Sequence, residues 1–244
     1  MSEQKTVAKE PVFNLPAVVI GLSSILGFIH LLREYVLPRD WDIEVILLFA
    51  FWPIRFAENS NVIGSWPGGV ASELWSFVTY SFLHGSFTHL MLNVIWMAIF
   101  GTAVARRFGT MRFLSFSLVC AIMGALAHLA TNWGDTAPMI GASAAISGQM
   151  AASFRFVFGT GGPLSALRAN HPSDYVVPAQ PLRVAISDKR VWGAVVAWFG
   201  INFIFGYWSM PIMSAGASIA WQAHVGGFVA GLLLFRFFDP VARR

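Results

Sequence analysis

The sequence carries very little charge for its length. Only 11% of its 244 residues are Asp, Glu, Lys or Arg, whereas soluble domains carry about 25%. It has a single cysteine, Cys120, so no intrachain disulfide can form. It also lacks a basic patch interleaved with aromatic residues, which argues against a nucleic-acid partner. An ordinary soluble domain and a nucleic-acid-binding module are therefore excluded.

Hydrophobic residues, by contrast, make up 56% of the chain. They occur in runs of about 17–23 residues, the length that crosses a ~30 Å hydrocarbon core. We predict an all-α membrane protein with six transmembrane helices, the lipid bilayer being its surroundings. A shorter apolar stretch, 45–56, contains Pro53 and Arg55 and is predicted to be re-entrant or interfacial. The six predicted spans are 13–32, 87–105, 113–130, 142–158, 191–207 and 219–238.

The positions of the basic residues predict the orientation of these spans. If the N-terminus is cytoplasmic, all 16 Lys and Arg residues except Arg33, Arg39 and Arg55 fall on the cytoplasmic side. This bias predicts that both termini are cytoplasmic. We expect one membrane domain at 13–238, between cytoplasmic tails at 1–12 and 239–244. A Gly/Pro-rich, basic connection at 159–190 is predicted to be flexible.

Four polar side chains are predicted to lie at a similar, shallow depth on three of the spans. Spans two, four and six run in the same direction, so their N-terminal ends meet on the outer side. His89 and Asn93 share a face of span two, Ser143 begins span four, and His224 lies about one turn inside span six. The shared depth predicts a site at the outer end of the bundle.

These residue types suit acyl transfer. A serine nucleophile needs a base within hydrogen-bond reach, and small residues spaced four apart on spans four and six permit close helix contact. No Asp or Glu lies at this depth, which favours a Ser143–His224 dyad over a triad. The side chains of His89 and Asn93, with the backbone N–H of Ser143, are candidate oxyanion donors. The small-residue stripes are Ala144, Gly148, Ala152 on span four and Ala223, Gly227, Gly231 on span six.

Three motifs in this order resemble those of the rhomboid intramembrane serine proteases. They are Gly141-Ala-Ser143, Ala223-His224-Val-Gly-Gly227, and His84-Gly-Ser-Phe-Thr-His89-Leu-Met-Leu-Asn93, and the likeness runs from about Trp75 to Gly231. The resemblance implies Ser143 as nucleophile, His224 as general base, and His89 and Asn93 as oxyanion-hole side chains.

The resemblance also implies a function. Such an enzyme cleaves transmembrane protein substrates near or within the bilayer, and it uses no metal or cofactor. A movable cap at 208–218 and a lateral gate at span five would go with this activity. The compact single domain favours a multi-pass protein of a bacterial inner membrane.

Departures from the family pattern keep a second hypothesis open. Ala144 stands where the family usually has glycine, Ser76 follows Trp75 where an arginine is common, and Ser147 replaces an aromatic residue often placed against the catalytic histidine. The alternative is a catalytically inactive rhomboid-like protein that binds membrane clients. The retained Ser143 and His224 argue against it.

Two further readings are less favoured. A transporter or channel usually carries Asp, Glu or Arg near the midplane of its spans, and these spans lack carboxylates there. A metal site is disfavoured because no His-Glu-x-x-His motif or acidic partner accompanies the histidines. His84 is expected to be structural, with a role in water access as the second option.

Overall fold

A computed structural model describes residues 14–57, 66–165, 172–209 and 220–241. Regular structure within these ranges is helical, apart from an isolated antiparallel bridge between Phe51 and Met139. The predicted tail at 1–12 and residues 210–218 of the predicted cap lie outside the described residues. The helices are α1 Ala17–Leu31, α2 Arg39–Phe49, α3 Gly69–Thr79, α4 Phe87–Trp96, α5 Thr102–Phe108, α6 Thr110–Thr131, α7 Ser143–Ser153, α8 Leu182–Ser187, α9 Lys189–Ser209 and α10 Trp221–Phe238.

Three helical runs in the described residues are long and apolar enough to cross a membrane. The π-helical turn Leu32–Val36 extends α1, and the turn Met97–Gly101 joins α4 to α5. The three runs are Ala17–Val36, Phe87–Phe108 and Thr110–Thr131. They confirm the first three predicted spans as continuous apolar helices, whereas the total of six spans and their orientation stay predictions.

The predicted fourth span is shorter than expected. Helix α7 has 11 residues, Ser143–Ser153, which at 1.5 Å per residue covers about 16 Å, roughly half of a hydrocarbon core. The prediction of a helix through residue 158 is therefore wrong at its C-terminal end. The chain instead leaves the helix through tight turns, in which Arg155 N donates to Ala152 O and Phe156 N to Ser153 O.

Two predicted loops contain helices. The stretch 45–56, expected to be re-entrant or interfacial, comprises the end of α2 and a 3₁₀ turn, Pro53–Phe56. Phe51 and Met139 exchange backbone hydrogen bonds of 3.1 and 2.8 Å, which ties this stretch to the segment before α7. The basic connection at 159–190, predicted to be flexible, holds a 3₁₀ turn at Pro172–Tyr175 and helix α8.

Helix α7 lies at the centre of the bundle, packed against α6 and α10. All of its residues are buried. A Cβ added at Gly227 would collide with the carbonyl oxygen of Ala144, and one added at Gly231 would collide with that of Gly148. These collisions confirm that the small-residue stripes allow the backbones of α7 and α10 to touch.

A buried ion pair joins helix ends on the side of the bundle opposite Ser143. Arg107, at the end of α5, donates to Asp239 beyond α10 at 2.8 and 3.0 Å. The same guanidinium donates to the carbonyls of Tyr175 and Val177, each at 2.8 Å. The Arg107 side chain is 0% exposed and that of Asp239 is 7% exposed. This contact fixes α5, α10 and the segment before α8 to one another.

Candidate active site

Ser143 is the first residue of α7, directly after a strained turn. Gly141 has φ +116°, a conformation that favours glycine, and its N–H donates to Tyr80 O at 2.9 Å. A Cβ at Gly141 would lie 2.7 Å from His89 Nε2. Position 141 therefore favours glycine for two reasons: the positive φ angle and the close approach of His89. The turn also leaves the N–H of Ser143 among the first four of the helix, which have no intrahelical partner.

His224 meets Ser143 across the contact between α10 and α7. The distance from His224 Nε2 to Ser143 Oγ is 2.7 Å, a strong hydrogen bond by geometry. Both residues are buried, at 6% and 8% exposure. A neutral imidazole with its proton on Nδ1 can accept a hydrogen bond from the serine hydroxyl at Nε2. The structure thus brings together the two residues that the sequence placed at one depth.

His89 and Asn93 lie one turn apart on α4, and His89 lies against Gly141 in the turn before Ser143. The hydroxyl of Ser86 accepts from His89 N at 3.2 Å and caps the helix, which sets the orientation of its first turn. Asn93 Nδ2 donates to His89 O at 2.8 Å. An amide nitrogen has two N–H donors, so this bond leaves one available. Asn93 Oδ1 is buried without a partner among the described residues.

Two further histidines lie near His89. The rings of His84 and His89 are 5.0 Å apart at 67°, and His30 of α1 is close enough to both for their charges to interact. Nδ1 of His30 is buried without a hydrogen-bond partner among the described residues. The sequence around His30 has no motif that indicates this placement.

An aromatic side chain of α9 contacts the candidate base. The Trp198 ring of α9 lies 6.1 Å from the His224 ring at 58°. At position 147, where the resemblance led us to look for an aromatic residue, the Ser147 hydroxyl donates to Ser143 O at 2.8 Å. The Ser147 side chain is thus buried and bonded within α7.

The segment before α4 is anchored by an arginine elsewhere in the chain. Ser76 takes the position where an arginine was expected, and its hydroxyl donates to Glu73 O within α3. Arg55, which is 4% exposed, donates instead to Ser72 Oγ and Leu47 O and lies over the Trp66 ring at 4.5 Å.

The described residues hold no group of three or more His, Cys, Asp or Glu side chains arranged to bind a metal ion. What they do present is a buried serine–histidine pair with potential hydrogen-bond donors on the neighbouring helix.

Comparison with known proteins identifies the family. The family model of the Rhomboid domain matches residues 71–239. The chain belongs to the rhomboid family. The matched region contains Ser143, His224, His89 and Asn93. Arg55 lies outside it. Together with the apolar helices, membership of the family makes this rhomboid a multi-pass membrane protein.

The chain is similar to curated relatives from Yersinia, each named Rhomboid protease GlpG. The relatives from Yersinia pestis (strain Pestoides F) and Yersinia pseudotuberculosis serotype I (strain IP32953) are 26% identical over 212 residues. The relative from Yersinia enterocolitica serotype O:8 is 22% identical over the same length. Each match covers 85% of this chain and 65% of the relative, so the rhomboid described here spans about two thirds of their length.

Proposed function

We propose that this rhomboid is an intramembrane serine endopeptidase that cleaves transmembrane protein substrates near or within the bilayer. The observation that carries the proposal is the 2.7 Å contact between Ser143 Oγ and His224 Nε2. The packing of glycine against carbonyl between α7 and α10 keeps these two side chains together. The names of the Yersinia relatives support the same activity.

The proposed first step is attack of Ser143 Oγ on the scissile carbonyl carbon. His224 Nε2 takes the hydroxyl proton as the carbon–oxygen bond forms, and the carbonyl oxygen becomes an oxyanion. The imidazolium then gives this proton to the leaving amine as the peptide bond breaks, which leaves an acyl group on Ser143. In the second step a water molecule attacks the ester carbonyl carbon while His224 Nε2 accepts its proton. The imidazolium then returns this proton to Ser143 Oγ as the ester bond breaks, and the acid product is released.

Three donors are proposed to stabilise the oxyanion. The backbone N–H of Ser143 is at the start of α7, where the helix dipole favours negative charge. His89 Nε2 lies next to Gly141, and Asn93 has one N–H not committed to His89 O. Preorganised donors of this kind act strongly in a site that excludes most water. Ser143 thus supplies both the nucleophile and one donor, while α4 supplies the other two.

The proposed setting is a bacterial inner membrane, with both termini in the cytoplasm and the dyad towards the outer side. The charge bias of the sequence supports this orientation. Substrates then reach the dyad from the bilayer and water reaches it from the outer face, and no metal or cofactor takes part.

A fluorophosphonate probe tests the proposal, because it reacts with a serine only when a base activates it. The purified wild type in detergent is expected to be labelled on Ser143, and Ser143→Ala is expected to lose the label. A wild type that is folded by thermal unfolding and circular dichroism but takes no label would contradict the protease proposal. It would favour the inactive, client-binding alternative.

A further inference from the structure

Within the described residues, the side-chain hydrogen bond of His224 is the one to Ser143, and no ion pair joins this histidine. A triad would use a carboxylate to fix the plane of the imidazole. In this dyad the orientation of the ring must come from packing.

Trp198 supplies that packing. Its side chain is 1% exposed, and its ring contacts two others. The Trp96 ring of α4 is 5.2 Å away at 77°, and the His224 ring is 6.1 Å away at 58°. Both separations are in the range of favourable ring contacts. An indole that also packs against Trp96 can restrict the rotation of His224.

The support of the indole extends back through α4. Trp96 stacks on Phe100 with the ring centroids 5.6 Å apart at 4°, and Phe100 contacts Phe154 at 6.0 Å. Phe154 in turn contacts Phe228 of α10 at 6.4 Å. This chain of rings begins at His224 and returns to α10 at Phe228, so Trp198 is part of a connected cluster of rings.

Trp198 is the most deeply buried of the described side chains of α9. Val191 and Trp198 are the buried residues among those of α9 whose side chains are described. Side chains such as Trp192, Val196 and Phe203 are 56%, 67% and 67% exposed. Val191 lies at the start of the helix, two turns before Trp198. Trp198 is therefore the main contact between α9 and the proposed catalytic pair.

We propose that Trp198 is a positioning residue: its indole holds the His224 imidazole in the orientation in which Nε2 faces Ser143 Oγ. This inference rests on the proposed protease function. The positioning role of Trp198 also accounts for the serine at position 147, because the aromatic contact to His224 comes from α9 instead of α7. The competence of the dyad then depends on α9 being packed against α4.

The test compares Trp198→Ala and Trp198→Phe with a matched control, Phe199→Ala. Phe199 is the neighbouring aromatic residue of α9 and packs against the same hydrophobic cluster. The maximal rate of fluorophosphonate labelling and the concentration for half-maximal rate are measured separately. Since a positioned base contributes about 10²–10⁴ to rate, partial loss of its orientation in Trp198→Ala is expected to lower the maximal rate about tenfold. Trp198→Phe is expected to stay within about threefold of wild type.

A merely structural role predicts a different pattern. In that case Phe199→Ala and Trp198→Ala would reduce the folded fraction and the labelling together. We expect Phe199→Ala to label at the wild-type rate per folded molecule. Trp198→Ala labelling at the wild-type rate, or failure of Trp198→Phe to restore the rate, would overturn the inference.

A second readout does not depend on activity. The Cε1–H resonance of His224, assigned with His224→Gln in histidine-labelled protein in micelles, senses the ring current of a neighbouring indole. We expect it to move in Trp198→Ala and to stay in place in Phe199→Ala. A wild type that does not react with the fluorophosphonate would contradict the protease proposal. The His224 resonance would still show whether Trp198 holds the ring. A His224 resonance unchanged in Trp198→Ala would reject the positioning role.

Discussion

At the scale of single residues, each side chain of the candidate site depends on one or two specific contacts. Ser143 needs the open turn at Gly141, where a Cβ would meet His89. His224 needs Ser143 within hydrogen-bond distance and Trp198 against its ring. Asn93 needs one free N–H while the other is bonded to His89 O. Each requirement is local, so each can be tested by one substitution.

Asn93→Ala should lower the rate of catalysis and leave the fold intact. Its amide N–H bonds to a carbonyl of the same helix, so its loss costs little stability. Removal of one oxyanion donor typically costs 10²–10³ in rate, and we expect about 10²-fold here. Thr131→Ala is the matched control, since Thr131 also donates to its own helix, at Ala127 O. Labelling kinetics that are the same in Asn93→Ala and Thr131→Ala would remove Asn93 from the mechanism.

At the scale of elements, the sequence predicted those helices whose apolar character is continuous. Ala17–Val36, Phe87–Phe108 and Thr110–Thr131 each follow a long hydrophobic run. The end of α7 was predicted wrongly, because residues 154–158 are apolar enough to continue a helix by pattern alone. Their turn depends on tertiary contacts, such as Arg155 donating to Gln180 O at 3.0 and 2.9 Å.

The residues of the candidate site also divide into those that the sequence pattern indicates and those that only tertiary contacts reveal. Ser143, His224, His89 and Asn93 could be proposed because short motifs and topology placed them together. Trp198 and Arg55 could not, since no motif or periodic pattern marks either residue. The ring of Trp198 reaches His224 across 26 positions of sequence, and the Arg55 guanidinium reaches Ser72 across 17. Contacts of this kind become visible only in the folded chain.

The contact between α7 and α10 predicts a strong effect at one glycine. In Gly227→Ala, the new methyl group meets the carbonyl of Ala144, so the two helices must separate. Overpacking of this kind costs about 1–3 kcal/mol, and the separation should also lengthen the Ser143–His224 contact.

The matched control is Gly21→Ala on α1, where an added Cβ meets no atom within 4 Å. We expect Gly227→Ala to lower both the thermal midpoint and the labelling rate, and Gly21→Ala to lower neither. A Gly227→Ala protein with wild-type labelling would show that the close approach of the helices is not needed for the dyad.

At the scale of the whole molecule, the candidate site and the buried ion pair lie at opposite ends of the bundle. One end holds Ser143 and His224 at the start of their helices. The other end holds the Arg107–Asp239 pair, which joins α5 and α10 and reaches the segment before α8. The site and this ion pair are connected through α10, so stability and catalysis can be separated by substitutions at opposite ends.

Arg107→Gln should destabilise the protein without altering the chemistry. Removal of one partner from a buried ion pair leaves an uncompensated charge and costs about 3–5 kcal/mol. Arg190→Gln is the control, because Arg190 pairs with Asp188 at an exposed position, with its side chain 52% exposed, where ion pairs contribute little. Thermal unfolding should show a large loss for Arg107→Gln and a small one for Arg190→Gln. A change in the labelling rate per folded molecule of Arg107→Gln would contradict this division between the two ends.

The central claim is that Ser143 and His224 together hydrolyse a peptide bond at the membrane. The most direct measurement reconstitutes the rhomboid in liposomes with a single-span polypeptide and follows its cleavage by mass spectrometry, in wild type, Ser143→Ala and His224→Ala. We predict that the wild type releases defined fragments cut in or near the span, and that both variants, folded as judged by thermal unfolding, release none. Fragments produced by Ser143→Ala at the wild-type rate would contradict the account.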